Sequence, residues 1–330
     1  MEIQFYEGKR LLMTGGAGYL ASNLVGMLRE MDCCITRLDR PSTRFAPVIG
    51  KASIQDVQGD IRDHAIWEPL LVNADIVFHF AAQTSVYVAD ENPIADLDVN
   101  VLPILYLLET CRQKGLQPTV IFSGTVTECG IPTRLPVDEN HPDYPVTIYD
   151  LHKLMAEGYL KHYTAQDVVR GAVLRLANVY GPGAKSSSAD RGVLNLMIQK
   201  ALKGETLTVY GDGNYMRDYV YVEDVAHAFL EAGAKIDRVN GRHFVIGSGQ
   251  GHTIAEAVNL VAERVALKTG QPAPVIHVEP PAALSQIETR NFMADTTRFS
   301  YATGWKARVS LVDGIDRTID YLFTTQDKIS

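Results

Sequence analysis

The amino-acid sequence predicts an α/β protein built on a doubly wound parallel sheet, with a second, smaller α/β lobe. Three observations carry that prediction. Short apolar runs alternate with helix-like segments through the first half of the 330 residues. A glycine-rich turn follows the first run and opens a helix. Beyond about residue 180 the alternation loosens into Gly-, Ser- and Pro-rich connectors.

The expected strands are "RLLMTGG" (10–16), "CCITRLD" (33–39), "ADIVFHFAA" (74–82), "TVIFSG" (119–124) and "VVRGAVLRLANVYG" (168–181). They are rich in β-branched or apolar residues and several end in small ones, as buried parallel strands do. Helices are expected over 18–30, 96–113 and 148–164, between the strands. "GPGAKSSSADRG" (181–192) reads as a mobile loop and "QPAPVIHVEPPAA" (271–283) as a connector. "DYVYVEDVAHAFLEA" (218–232) is expected to return to the first lobe. The division is a dinucleotide-binding domain of 1–181 and 218–247, of Rossmann type, and a substrate domain of 182–217 and 248–330. Ligands of such a sheet sit at the carboxyl ends of its strands.

Composition excludes several classes. With 46% hydrophobic and 21% charged residues the chain is ordinary globular protein. A net charge of −8 and a pI near 5.6, with no basic run, argue against nucleic acid as a partner. Cys33, Cys34, Cys111 and Cys129 form no C-x-x-C pair and read as reduced thiols. The start, "MEIQFYEGKRLLMTGG", lacks the pattern of a signal peptide, and no stretch approaches the roughly 18 apolar residues of a membrane span. The expected address is the cytoplasm. The nine His show no metal-ligand spacing, and His79, in an apolar strand, reads as a packed core residue.

"MTGGAGYLASNL" (13–24) sets Gly15, Gly18 and Ala21 at G-x-x-G-x-x-A between a strand and a helix. The tight turn and the approach of a pyrophosphate need Gly, and helix–sheet packing needs a small residue. The helix start, Tyr19 and Leu20, offers free N–H groups and a positive dipole end. Asp39 closes the second strand 21 residues after Gly18, where a carboxylate accepts ribose hydroxyls. It repels a 2′-phosphate, which favours NAD over NADP, although Arg40 and Arg44 follow closely. Asp60 and Ile61 of "GDIRD" suit the adenine edge.

Tyr149 is the only Tyr in the chain followed four residues later by Lys, here Lys153. On a helix the two share a face. Tyrosine is a poor base at its usual pKa near 10, and a neighbouring ammonium stabilises the phenolate. Lys153 also suits the nicotinamide ribose. Thr125, just past the strand "TVIFSG", is placed to hydrogen-bond the same substrate oxygen.

Together these blocks resemble an extended short-chain dehydrogenase/reductase (SDR) of the nucleotide-sugar epimerase/dehydratase family. The likeness runs through "TGGAGYLASNL", "GDIRD", "FHFAAQTSV", "LDVNVLPILYLLE", "FSGTVTECG", "YDLHK", "LRLANVYGPG", "VYGDGNYMRDYVYVEDVA" and "GWKARVSLVDGI". It implies Tyr149 as base, Lys153 as its partner and Thr125 as the hydroxyl of the triad. It further implies that Asn100 supports the site and that Ala81, Ala82, Gln83 and Ser123 border the cofactor. The implied substrate is a nucleotide diphosphate sugar. Asn178, Arg217 and Arg290 fall where the family binds its diphosphate and ribose, Val209 is expected beside the base, and Ser85, Thr127 and Val193 line the rest.

The segment after Thr125 bears on the reaction. Family dehydratases carry an Asp–Glu pair there, and this chain has Val126 and Thr127. Family decarboxylases carry Glu at the Thr127 position, and Glu128 lies on the neighbouring face of an extended stretch. What remains is similar to UDP-glucose 4-epimerase: Tyr149 takes the C4 hydroxyl proton, NAD the hydride, and the keto sugar swings about its tether to be reduced on its other face. The alternatives are a nucleotide-sugar 4-ketoreductase or another net NAD(P)-dependent dehydrogenase, and a cofactor-binding sensor. Departures from the family pattern are Gly124 for Ser, Cys129 for Tyr, Pro103 for Gly, and "SQIE" for Arg-Pro-Gly-Asp. Asp138 and Glu139 read as a solvated loop. His152 is expected to point away from Tyr149 and Lys153. Apolar residues on more than one face of helices 96–113 and 148–164, with the pairing of their equivalents in relatives, imply a homodimer.

Overall fold

The computed structural model describes residues 3–183 and 192–326, so the expected loop lies outside the described residues over 184–191. Its strands are β1 (Arg10–Thr14), β2 (Cys34–Asp39), β3 (Ser53–Gln58), β4 (Ile76–His79), β5 (Thr119–Thr125) and β6 (Arg170–Leu176). There follow β7 (Asn178–Tyr180), β8 (Leu207–Tyr210), β9 (Met216–Tyr221), β10 (Arg242–Ile246), β11 (Gly251–Thr253) and β12 (Val275–Val278). One parallel sheet of seven strands has the order β10-β6-β5-β4-β1-β2-β3. Its chain order reverses between β1 and β4, which opens a crevice above their carboxyl ends.

The strands read as unbroken apolar runs because helices cover both faces. Leu11, Met13, Phe78 and Ile121 pack on one side against Ala21, Leu24 and Val25 of helix Tyr19–Leu28 and Val225 and Phe229 of helix Val222–Ala234. The alternating Leu12, Val77, Val120 and Phe122 pack on the other, against Ile104 and Leu107 of helix Leu102–Lys114 and Ala156 and Leu160 of helix Ile148–Ala165.

Two expected elements are divided. The helix over 96–113 is a pair, Pro93–Asn100 and Leu102–Lys114, meeting at Val101 with φ −114° and ψ −53°. Pro103 has no N–H to give, and its ring crowds the carbonyl four residues back. The run 168–181 is likewise two strands. β6 stays in the large sheet, and β7 joins β9 and β11 in a sheet of three.

The strands β8 and β12 pair in parallel. Around them helices Val193–Leu202, Ile254–Thr269 and Leu311–Gln326 enclose a separate core of Leu194, Ile198, Leu207, Val258, Val261 and Ile315. Residues 218–221 belong to β9 of the three-stranded sheet, and only from Val222 does the chain lie against the large one, where helix Val222–Ala234 packs on helix Tyr19–Leu28 and β10 pairs with β6.

Candidate functional site

The glycine loop touches the end of β4. Thr14 Oγ1 accepts the N–H groups of Phe80 and Ala81, each at 3.2 Å, and pairs with His79 Nδ1 at 3.0 Å. Gly15 has φ +64°, and a Cβ on it would stand 3.0 Å from the Ala81 nitrogen, so no other residue fits without strain. Gly18 precedes helix Tyr19–Leu28 with no side chain capping it, which leaves N–H donors at the helix start for an anion. Ala21 is fully buried in the core below.

Tyr19 donates its hydroxyl to the Gly181 carbonyl at 2.9 Å, and burial raises its pKa. Leu20 is half-buried. The Asp39 carboxylate lies under the loop, accepting Ala17 N–H at 3.0 Å, Arg40 N–H at 2.8 Å and the Thr43 hydroxyl at 3.1 Å. The Arg40 side chain is exposed. Asp60 is held below the usual carboxylate range by its hydrogen bonds to Arg62. The Ile61 carbonyl accepts the Trp67 indole N–H at 3.0 Å. A cradle closed to side chains, an uncapped helix start and a carboxylate ending β2 fit a dinucleotide with free ribose hydroxyls.

Ala81 and Ala82 are half-buried, and Gln83 beside them is fastened from three sides. Asn100 accepts its backbone N–H at 3.2 Å and donates to its carbonyl at 3.0 Å. Its side-chain amide donates to Ser85 O at 2.8 Å and Asp96 Oδ1 at 2.7 Å and accepts the Ser85 N–H. Ser85 also caps the next helix, accepting Val88 N–H at 3.3 Å. Asp96 takes Asn100 Nδ2 at 2.9 Å as well, and its other oxygen meets His152 Nδ1 at 2.7 Å. His152 points away from Lys153 into this network, which ties its helix to the loop of Gln83.

Helix Ile148–Ala165 starts at Thr147, whose hydroxyl accepts Asp150 N–H, and brings Tyr149 (5% exposed) and Lys153 (2%) beside the end of β5. Lys153 Nζ stands 4.0 Å over the Phe122 ring, a cation–π contact that helps keep an ammonium in a dry site. Its positive charge and burial push neighbouring His79 down to about 3, burial being the larger cause. Ser123 donates to His79 O at 3.2 Å. Thr125 and Thr127, both buried, hold their hydroxyl oxygens 2.8 Å apart.

The stretch after Thr125 is not extended. Val126–Cys129 is a 3-10 turn closed by a capping box, with Thr127 N–H on Thr125 Oγ1 and Thr125 N–H on Glu128 Oε1 at 2.9 Å. Glu128 is therefore inside, against Arg175 of β6, together with Glu157 and Asp143. Cys129 is buried and donates to Val126 O. A charged residue within the apolar run "VVRGAVLRLANVYG" was the signal that a buried counter-charge exists. Glu139 also departs from expectation: its side chain is 3% exposed and accepts Val245 N–H at 3.0 Å, while Asp138 pairs with Arg134 nearer the surface.

On β9 of the small sheet Arg217 (3% exposed) donates to the carbonyls of Met216, Glu288 and Arg290 and to Glu288 Oε2 at 3.1 Å. Arg290 (5%) donates to Ile287 O at 2.8 Å, with Glu288 Oε2 3.9 Å away. Two guanidinium groups thus share one part-exposed carboxylate. Asn178 stands opposite Tyr219 in the small sheet, and Val193, at the start of its helix, is exposed. Val209 packs in the second lobe's core, 1% exposed, and its neighbour Tyr210 is the open side chain. Asn195, not singled out by sequence, bonds both the N–H and the carbonyl of Gly181 and so ties helix Val193–Leu202 to the chain leaving β7.

Residues 11–247 match the model of the NAD dependent epimerase/dehydratase family. The chain is 33% identical over 314 residues to a putative UDP-glucose 4-epimerase of Methanocaldococcus jannaschii, covering 94% of this chain and 98% of that one. It is 31% identical to the UDP-glucose 4-epimerase of Mycolicibacterium smegmatis over 94% and 98%. Among solved structures, UDP-glucose 4-epimerase of Thermotoga maritima with UDP-glucose superposes with a TM-score of 0.85 at 30% identity, covering 96% and 99%. That of Thermus thermophilus with NAD gives 0.80 at 31%, covering 95% and 99%. The glycine cradle, the Tyr149 helix against β5 and the reversal between β1 and β4 therefore occur in a chain that belongs to the NAD-dependent epimerase/dehydratase family, of the extended SDR type.

Proposed function

We propose that this chain is an NAD-dependent epimerase of a UDP-hexose, inverting C4 through a transient 4-keto sugar. The observation that carries the reading is the paired hydroxyl of Thr125 and Thr127 at the end of β5, beside buried Tyr149 and Lys153. Neither position 126 nor 127 offers the carboxylate that eliminating water would need. Tyr149, as phenolate, takes the C4 hydroxyl proton and later returns it, and Lys153 stabilises the phenolate. Thr125 holds the same sugar oxygen, with Thr127 orienting its hydroxyl. Gly15, Gly18, Tyr19, Leu20, Asp39, Asp60 and Ile61, with Ala81 to Gln83, would hold NAD, which would supply the acceptance and return of the C4 hydride.

Arg217 and Arg290 suit the diphosphate because a guanidinium meets phosphate with two N–H groups. Asn178, Ser85 and Val193 border the remainder of the ligand, whereas Val209, closed in the second lobe's core, backs that wall from behind. Anchoring the diphosphate while leaving the hexose free to turn is what presentation of both sugar faces requires. The relatives named for UDP-glucose support the uridine and the hexose. We assign 1–181 with 218–247 to the cofactor and 182–217 with 248–330 to the substrate.

A homodimer is part of the same reading: helix Ile148–Ala165 leaves Leu151 and Met155 exposed beside partly buried Leu154. No helix of the described residues is long and apolar enough to cross a membrane, and the four cysteines are unpaired thiols, which supports a cytoplasmic address.

Proton NMR of the purified protein with UDP-, GDP-, CDP- and dTDP-hexoses, without added cofactor, tests the function. A new anomeric signal from the C4 epimer is expected with a UDP-hexose. Turnover only when NAD(P)H and a keto sugar are supplied would replace the epimerase with a ketoreductase. Light scattering on a sizing column, giving a mass of one chain, would remove the dimer.

A further inference from the structure

Arg175 has five N–H donors, and two carboxylates already take four. Glu157 accepts from Nε at 2.8 Å and Nη2 at 2.7 Å, and Asp143 from Nη1 and from Nη2 at 2.9 Å. Glu128 is a third acid at the same guanidinium and is 0% exposed. Arg175 Nε is only 3.0 Å from Glu128 Oε2, yet its N–H points at Glu157. Glu128 Oε1 accepts the Thr125 N–H, whereas Oε2 accepts no hydrogen bond from any described residue, out of reach of solvent. A bare carboxylate oxygen is costly there, and so are two carboxylates converging on one N–H. One proton on Oε2 removes both faults by making that oxygen a donor to Glu157.

The room for this acid comes from Gly124. A Cβ there would stand 3.1 Å from Glu128 Oε1 and 2.8 Å from Val173 Cγ1. Gly124, where the family carries Ser, and Glu128 are one device.

We propose that Glu128 stands as a neutral acid shared with Glu157 and is the positioning residue for Thr125 and Thr127. The proposal rests on the role given to Thr125 above. The carboxyl takes the Thr125 amide at one end and donates to Glu157 at the other, which fixes the 3-10 turn and keeps the two hydroxyls together. Burial raises its pKa well above the ordinary range, Glu157 adds to the rise, and Arg175 opposes it. The groups facing it are Arg175 from β6, Glu157 from the Tyr149 helix with Lys161 and His243 behind, Asp143 from the preceding loop, and Cys129 on its own turn. Ionisation at alkaline pH puts a second negative charge against Glu157. The carboxylate then finds an N–H only by turning to Arg175 and releasing Thr125.

The test is infrared difference spectroscopy between the wild type and E128Q at neutral pH, joined to kinetics of E128Q and E128A. The amide of E128Q keeps an oxygen for Thr125 and an N–H for Glu157. Expected are a protonated-acid carbonyl band lost in E128Q, and a kcat for E128Q within about threefold of wild type. E128Q also lacks the wild type's alkaline fall, and E128A loses about tenfold or more in kcat with KM held. Absence of that band from the difference spectrum, or an E128Q as slow as E128A, overturns the proposal. Y149F is measured alongside. If it keeps full turnover, the role of Tyr149 fails, while the band, which needs no substrate, still decides the state of Glu128.

Discussion

Replacing Asp96 by Ala removes the junction of the network between the Gln83 loop and the Tyr149 helix. Its carboxylate is 1% exposed and answers three donors, Gln83 Nε2 at 2.7 Å, Asn100 Nδ2 at 2.9 Å and His152 Nδ1 at 2.7 Å. The two amide nitrogens each give one hydrogen elsewhere, to Ser85 O and to Gln83 O, so each loses one of two partners. A buried donor left without a partner costs about 1–3 kcal/mol. Water entering the space of the lost carboxylate recovers part of this, so D96A is expected to lose about 3–6 kcal/mol, against a total stability of about 5–15 kcal/mol. D96N keeps an oxygen for Gln83 and Asn100 and sets its N–H against His152, which can accept by carrying its proton on Nε2, so it loses about 1 kcal/mol. Urea unfolding followed by circular dichroism, at unchanged m, reads both values. A D96A variant within about 1 kcal/mol of wild type, or a D96N as unstable as D96A, would refute the reasoning.

Y149F should lower kcat by about 10²–10⁴-fold while calorimetry shows UDP binding retained, and a loss under tenfold would take Tyr149 out of the proton transfer. G124S should destabilise by about 1–3 kcal/mol through its contacts with Val173 and Glu128. Combined with E128A that cost should shrink, whereas strict additivity would mean that the two positions do not share the space. His79 has a folded pKa near 3 against an unfolded value of 6.5, so the unfolded chain binds the extra proton between those pH values. Stability present above pH 6.5 is therefore lost as pH falls through that window, by up to about 1.4 kcal/mol per unit from this group. H79N should show a shallower acid decline in urea midpoint, and parallel curves for the two proteins would contradict the assignment.

What the sequence alone determined was whatever depends on neighbours in the chain. Gly15 and Gly18 announce the phosphate turn because only glycine meets its backbone demands, and Tyr149 and Lys153 share a helix face by spacing alone. The apolar runs mark strands buried on both sides, and hence the doubly wound sheet. Tertiary structure decided the partners of buried polar groups. His152 meets Asp96 56 residues away, and no period in the sequence encodes that pairing. Glu139 in the polar "LPVDEN" looked solvated, yet Val245 of β10 arrives with an N–H for it. In an extended stretch Glu128 would lie on the face neighbouring that of Thr127, and the capping box with Thr125 instead turns it inward. Arg175 places a charge within an apolar strand, and which of the 39 acids answers it follows only once β6, the Tyr149 helix and the turn at Thr125 pack together. Local propensity extends over a few residues, whereas the cost of burying a charge is settled by whichever group folding brings within hydrogen-bonding reach.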